Sequence, residues 1–383
     1  MRIAIAYDSC APFTVGGAET HYRGLSEELA SRGHEVTYIT SRYWHGDREL
    51  QRDGVRLLAV TRGFGSSTGN RTIIPALRYA ARLFGHLLRR GGTFDVVEVA
   101  ALPPTAAIAA WLGLLPHRRT LMLTDWHEVW RRGTWTEELG AAGNLGWLAE
   151  LIARRLGRPV AFSQLHASRL PHGATRVPEF ISVGPEGEGP AGGQREPVML
   201  SVGRLVPNKR FDLVPPTLAR LREIEPDRGW RAVIVGSGTE RERIEREAAA
   251  HGDPSLVEFR SGLSARELSD LFSASSVLLH PSRREGFGIV LLEASAHGLP
   301  AVACNAPDNA GVELISEGEN GVVARSADPD ELARAVFAAG RPGMAEATLG
   351  WWHRNGDRFS AASAADAIER LAAASDARVA KVS

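Results

Sequence analysis

The stretch Arg284-Glu285-Gly286-Phe287-Gly288-Ile289-Val290-Leu291-Leu292-Glu293-Ala294-Ser295 sets two carboxylates eight residues apart, with glycines beside the first. A loop turning into a helix near Phe287 puts Glu285 ahead of the helix and Glu293 two turns in. At 1.5 Å rise per residue the two acids stand roughly 12 Å apart. That is about the span from hexose to ribose in a nucleotide-diphosphate sugar. The helix N-terminus between them offers free N–H groups where a diphosphate would lie. Glu293 is flanked by Leu291, Leu292 and Ala294, so its carboxylate needs a polar partner such as ribose hydroxyls. The plainer alternative is a loop acid followed by a helix-face acid.

Countercharge for a diphosphate lies upstream, in Gly203-Arg204-Leu205-Val206-Pro207-Asn208-Lys209. Arg204 can bind phosphate bidentately, and Lys209 acts as a point charge. The chain has 43 arginines and two lysines, and the other lysine, Lys381, is third from the end. A lysine kept in that motif suggests a need for a compact ammonium. An ordinary surface pair is the competing account. Gly236-Ser237-Gly238 reads either as a tight turn or as backbone contact with the same ligand. Gly16-Gly17 after the first strand lets a backbone approach a phosphate at a helix start, although such turns are common. His127, in Thr124-Asp125-Trp126-His127-Glu128, can bond a sugar hydroxyl or assist charge development. A lone histidine is more often structural, and Asp-x-His is not a metal site.

These residues need a frame to position them. Strand-like runs fall at 3–7, 35–40, 55–60, 94–99, 120–124 and 159–162, with helical patterns at 18–31, 71–90 and 137–155. A second alternating series has strands at 198–202, 232–235, 257–259, 277–280, 301–303 and 321–324. Its helices are expected at 211–223, 240–251, 265–272, 287–297 and 329–339, with a tail helix at 361–374. Apolar strands alternating with amphipathic helices imply an α/β fold with parallel sheets covered on both faces. The expected organisation is an N-terminal doubly wound domain over 1–182, a Gly/Pro/Glu-rich linker over 183–197 and a second such domain over 198–360. The final segment, 361–383, is expected to pack back on the first. Ligands in such folds bind at the carboxyl ends of the strands, here in a cleft between two sheets.

Composition sets outer bounds. Formal net charge is zero, which does not suggest nucleic acid as a partner. Cys10 and Cys304 cannot form a disulfide framework, so a reducing cytoplasm is expected. The first apolar run stops at Asp8, too short for a leader, and the run 105–115 is too short to cross a bilayer and reads as a buried helix. Residues 54–94 carry seven arginines and no acid. Within the helix 71–90, Ile74, Leu77, Ala81, Phe84 and Leu88 form one stripe, expected to face the core. The alternative is contact with an anionic membrane or a lipid-phosphate acceptor.

In order, Gly-Gly-Ala-Glu at 16–19, Asp-Trp-His-Glu-Val-Trp at 125–130, Ser-Val-Gly-Arg-Leu-Val-Pro-Asn-Lys at 201–209, Val-Gly-Ser-Gly at 235–238 and the segment 285–300 resemble the family 4 retaining glycosyltransferases of the GT-B fold. The resemblance covers nearly the whole chain and is most specific in its second half. It implies two Rossmann-like domains with an interdomain cleft. It assigns the donor diphosphate to Arg204 and Lys209, the ribose to Glu293, and the hexose to Glu285 and the amides of Gly286, Phe287 and Gly288. It places Gly16 and Gly17 near the distal phosphate, Leu263 near the base and His127 near the reacting centre. It implies front-face transfer to an unknown hydroxyl acceptor, with no cofactor and with the two cations in place of a metal ion. The donor is left open among UDP-, GDP- and dTDP-sugars. One departure stands out: the family's Asn-Gly turn is absent from Arg176-Val177-Pro178-Glu179-Phe180-Ile181-Ser182. A nucleotide-sugar epimerase of the same fold is the main alternative. A pyridoxal-phosphate phosphorylase fits poorly, because Lys209 sits in the diphosphate motif, and a non-catalytic sugar-nucleotide subunit would not be expected to keep every charge.

Overall fold

The computed structural model describes residues 1–14, 16–63, 73–171, 173–177, 179–181 and 195–379. The chain divides into two compact units. One takes Met1–Phe180 together with the chain from Phe359 onward, and the other takes Ile181–Arg358.

The first unit is built on strands β1 (Arg2–Ala6), β2 (Glu35–Arg42), β3 (Glu49–Arg52), β4 (Val55–Arg62), β5 (Val96–Ala100), β6 (Leu121–Trp126), β7 (Arg158–Ala161) and β8 (Thr175–Arg176). They form one sheet in the order β3-β4-β2-β1-β5-β6-β7-β8. All neighbours are parallel except β3 with β4. β1 is apolar over Ile3–Ala6 because it lies between two strands and under two helical layers, and those four residues are fully buried. The helices are α1 (Gly17–Ser31), α2 (Ile73–Arg90), α3 (Pro104–Leu114), α4 (Arg132–Leu139), α5 (Gly143–Ala153) and α6 (Gln164–Ala167). Tyr79, Leu83 and Leu87 of α2, Ala107 and Ala110 of α3 and Ala153 of α5 pack with Ala4, Ala6, Val97 and Val99 in one core. These three helices therefore cover the same face of the sheet.

The second unit has strands β9 (Glu196–Val202), β10 (Arg231–Val235), β11 (Val257–Arg260), β12 (Ser275–His280), β13 (Arg284–Glu285), β14 (Ala301–Cys304), β15 (Asp308–Asn309) and β16 (Gly321–Ala324). Six of them form a parallel sheet ordered β11-β10-β9-β12-β14-β16, while β13 and β15 pair separately. Helices α7 (Val214–Ile224), α8 (Arg241–Ala250), α9 (Ala265–Ala274), α10 (Ile289–Ala296), α11 (Pro329–Ala339) and α12 (Met344–Asn355) wrap this sheet. The strand order reverses at β9, which lies between β10 and β12. The carboxyl ends of β9 and β12 are therefore the unit's switch point, where this architecture receives ligands. The last helix, α13 (Ala361–Val379), rests on α1 of the first unit. Arg32 fixes it by bonding Asp366, Glu369 and the Ala362 carbonyl at 2.6, 3.0 and 3.0 Å.

Several expectations need correction. The helix expected over 137–155 is two helices, because Gly140 adopts φ +58° at the end of α4. The helix expected from Phe287 begins at Ile289, since Gly288 has φ +100° and cannot be helical. Glu293 is consequently one turn into α10 rather than two. Linker residues 183–194 lie outside the described residues, and Glu196 and Pro197 already belong to β9. The helical stripe expected in the core is the outward one: Ile74 and Leu77 are 62% and 51% exposed, whereas Tyr79, Ala80, Leu83 and Leu87 are buried. Residues 71 and 72 of that expected helix lie outside the described residues. The run 105–115 is mostly buried in α3, yet Trp111, Leu112 and Leu115 at its end are exposed.

Candidate functional site

In the second unit, the loops after β9 and β12 meet. The Arg283 amide donates to the Asn208 carbonyl at 2.8 Å, and the Asn208 side chain donates to the Arg284 carbonyl at 3.3 Å. Arg210, at φ +51°, reaches the Pro281 carbonyl at 2.8 Å. This clasp brings Lys209 to Glu285: Nζ donates to Oε2 at 2.5 Å, with each side chain only 14% exposed. His280, the buried last residue of β12, meets the same Oε2 through Nε2 at 2.8 Å. Pairing of Glu285 with Asn309 in the β13–β15 ladder holds the carboxylate in place. Asn309 is itself locked, donating to the Ser282 and Cys304 carbonyls and accepting from the Gly311 amide. Burial alone would raise Glu285, but Lys209 and then His280 outweigh it and hold the carboxyl well below the usual range.

Glu293 has the opposite electrostatics. It is partly buried on α10, and burial pushes its carboxyl up to about 7. A carboxylate so destabilised is ready to accept hydroxyl hydrogen bonds from a ligand. No side chain caps the start of α10, which follows Gly286, the buried Phe287 and Gly288. A Cβ on Gly288 would lie 3.0 Å from Leu291 Cδ1 and 3.2 Å from Gly311 Cα, so the tight entry requires glycine. Arg204 stands exposed on the loop after β9. Gly236 serves this loop: with φ +152°, its missing Cβ would lie 1.9 Å from the Gly203 carbonyl oxygen. Leu263 is partly buried, next to Ser264, the cap of α9.

The first unit carries a separate cluster. Gly17 opens α1, whose start has no side-chain cap, and Gly16 precedes it in extended backbone. One and a half turns on, the Tyr22 hydroxyl lies 3.1 Å from Nε2 of His127, the residue after β6. Nδ1 of His127 bonds Glu179 at 2.5 Å, and its ring stacks on Phe162 at 4.3 Å. Burial disfavours the imidazolium, but Glu179 and then Asp125 overcome that and raise the pKa of His127. His21 beside it is fully buried with both ring nitrogens unpartnered, and burial keeps it neutral. Behind them, burial raises Asp125 to about 6. Burial and then the Asp125 charge also raise Glu98 on the adjacent strand.

The structure therefore brings Lys209 and Glu285 into contact, although sequence reasoning assigned them to different parts of one ligand. Sequence reasoning overlooked His280, Asn309, Tyr22 and Glu179. His280 was legible in principle, since it ends a strand as His127 nearly does. Glu179 sits at the departure from the family turn, and its partner His127 is 52 residues away.

Residues 190–339 match the family described as Glycosyl transferases group 1, and residues 16–179 match the Glycosyl transferase 4-like domain. Over 147 residues, 37% of this chain and 37% of its own length, a GDP-mannose-dependent phosphatidylinositol monomannoside mannosyltransferase of Mycolicibacterium smegmatis is 35% identical. A glycogen synthase of Mycobacterium tuberculosis is 27% identical over 88% of this chain and 85% of its own. Among solved structures, a sucrose-phosphate synthase from Thermosynechococcus elongatus superposes with TM-score 0.78 at 18% identity, covering 100% of both chains. Anabaena HepE, solved with UDP and glucose, gives 0.70 at 18% identity over 97% of this chain and 99% of its own.

Proposed function

Because the chain belongs to the glycosyltransferases of the GT-B fold, with a 4-like first half and a group 1 second half, we propose that it moves a hexose from a nucleotide-diphosphate donor to a hydroxyl acceptor with retention at the anomeric carbon. The observation that carries this reading is the contrast between two acids on one short segment. Glu285 is held ionised by Lys209 and His280, while burial raises the carboxyl of Glu293 on α10. On this reading Glu293 accepts the ribose hydroxyls, and the diphosphate lies along the start of α10 toward Arg204 and Lys209. Glu285, with the amides of Gly286, Phe287 and Gly288, positions the hexose. Arg204 and Lys209 stabilise the departing diphosphate as fixed cations, the role a divalent ion would otherwise fill. In front-face transfer a donor phosphate oxygen helps to take the acceptor proton, so no side chain need act as general base. His127, held by Glu179, is assigned to the transferred sugar, and Gly16 and Gly17 to the distal phosphate.

The mannosyltransferase similarity and the UDP complex of HepE support a nucleotide-sugar donor without selecting its base. The test begins with thermal shift against UDP, GDP, ADP and dTDP and their hexose conjugates, because a bound donor raises the melting temperature. One nucleotide should stand out. Lys209→Ala should then abolish nucleotide-diphosphate release from the matching sugar conjugate. A flat panel, or unchanged release in the variant, overturns the reading. Acceptor-independent conversion of the donor to its epimer would replace transfer with isomerisation.

A further inference from the structure

The first unit has a surface that its fold does not use. On α2, Ile74, Leu77, Ala81, Phe84 and Leu88 recur at helical spacing and all face outward, with Leu77 at 51% exposure. The core-facing work of that helix is done by Tyr79, Leu83 and Leu87. The exposed end of α3 lies against the same region: a Cβ on Gly113 would meet Leu87 Cβ at 2.9 Å and the Phe84 carbonyl at 3.0 Å. The side chain of His117 is 3.1 Å from the Leu88 carbonyl. Trp111, Leu112 and Leu115 therefore extend the apolar area beside Phe84 and Leu88. Next in the same helical layer, α5 packs on α3 and turns Leu145, Leu148 and Ile152 outward, Leu145 at 72% exposure.

On α2, α3 and the turn after α3 the charge has one sign, while α4, packed on α5, exposes Glu137 and Glu138. Helices α2 and α3 and the turn after α3 contain no acid, and the only acid of α5, Glu150, is buried against Arg154 and the Trp135 indole. Arg82, Arg89 and Arg90 on α2 and Arg118 and Arg119 after α3 are exposed around the apolar stripe. Long arginine side chains beside outward aliphatic and aromatic groups suit an interface where the apolar groups enter acyl chains and the guanidinium groups reach lipid phosphates. A second copy is a poorer occupant. A two-fold contact would press the same arginines against themselves. No helix among the described residues is long and apolar enough to cross a membrane.

We propose that the outer face of α2, α3 and α5 docks this protein on an anionic lipid bilayer. This goes beyond the donor chemistry and does not rest on it. The test is co-sedimentation of the full chain with phosphatidylcholine vesicles made with or without phosphatidylglycerol. Binding should require the anionic lipid and weaken as salt rises. Leu77→Glu with Phe84→Glu should lower the partition coefficient on the order of tenfold or more. Arg82→Glu with Arg89→Glu should do likewise. All four positions are exposed, and an unchanged melting temperature and nucleotide thermal shift would show each variant folded. A full chain that stays in the supernatant overturns the proposal, as do variants that bind like the parent. So does a dimer in sedimentation equilibrium that Leu77→Glu with Phe84→Glu dissociates, because the face would then belong to a second copy.

Discussion

Replacing Glu293 with Gln should stabilise the free protein and weaken its hold on a nucleotide. Burial pushes the Glu293 carboxyl up to about 7 from an ordinary value of 4.5. A raised carboxyl pKa means that the folded state prefers the proton, so the penalty is absent below the ordinary value. It grows as pH rises toward 7 and is constant above. At 1.36 kcal/mol per pH unit the full penalty is about 3 kcal/mol, an upper bound because the carboxyl still touches solvent. Gln has similar volume and no charge to desolvate. Glu293→Gln should therefore raise the melting temperature by up to roughly 6–12 °C at pH 8 and by little at pH 4.5. Ribose hydroxyls donating to the carboxylate favour its charged form, so nucleotide affinity should rise with pH and level off above about 7. Losing a charge-assisted bond costs about 1.5–3 kcal/mol, and the variant should bind roughly 10- to 150-fold more weakly, without that pH dependence. Calorimetric titrations near pH 6.5 in two buffers of different ionisation enthalpy should also detect proton release by the parent and none by the variant. Equal melting gains at both pH values, together with unchanged affinity, would refute the reasoning.

Two further outcomes follow from the geometry. Glu179→Gln removes the largest of the charges that raise His127, leaving only Asp125 and Glu128 to oppose burial, so the stabilising pair is lost. The cost should be greatest below the ordinary histidine value near 6.5 and should disappear as pH rises through the raised one, which melts at pH 6 and pH 9 would show. If transfer uses the imidazolium, the alkaline limb of the kcat/KM profile should also move to lower pH, with Glu179→Asp restoring part of it. Gly236→Ala should cost more than about 2 kcal/mol, since its Cβ would lie 1.9 Å from the Gly203 oxygen at φ +152°. Gly262→Ala, at φ +68° with nothing within 4 Å, should cost only about 1–2 kcal/mol. Chemical denaturation of the pair would separate a clash from backbone strain, and equal losses would contradict the packing account.

Much of the fold was legible because parallel strands buried on both faces are written as short apolar runs. Runs such as those at 198–202 and 277–280 survive as β9 and β12 with small changes at their ends. Strands β13, β15 and β3 escaped notice because they are short and polar, and their pairing is set by loops rather than periodicity. The α4–α5 break was missed because the apolar pattern over 137–155 continues through Gly140, whose φ of +58° only the structure shows. The start of α10 moved two residues because Gly288 adopts φ +100°, a conformation that periodicity does not report.

By itself the sequence determined that strands alternate with helices, that Arg204, Lys209, Glu285 and Glu293 occur at the spacing of a glycosyltransferase second half, and that α2 is amphipathic and basic. Periodicity and local composition are properties of neighbours along the chain, so they can be read without coordinates. Only the tertiary structure decided which partners each charged group meets. Lys209 neutralises Glu285 across 76 residues, Glu179 grips His127 across 52, and Glu293 is left to a raised pKa on a buried helix. It also decided which of two apolar stripes on α2 faces the sheet. A helix with apolar residues on both sides satisfies the same sequence pattern in either rotation, and only packing against β-strand side chains selects one.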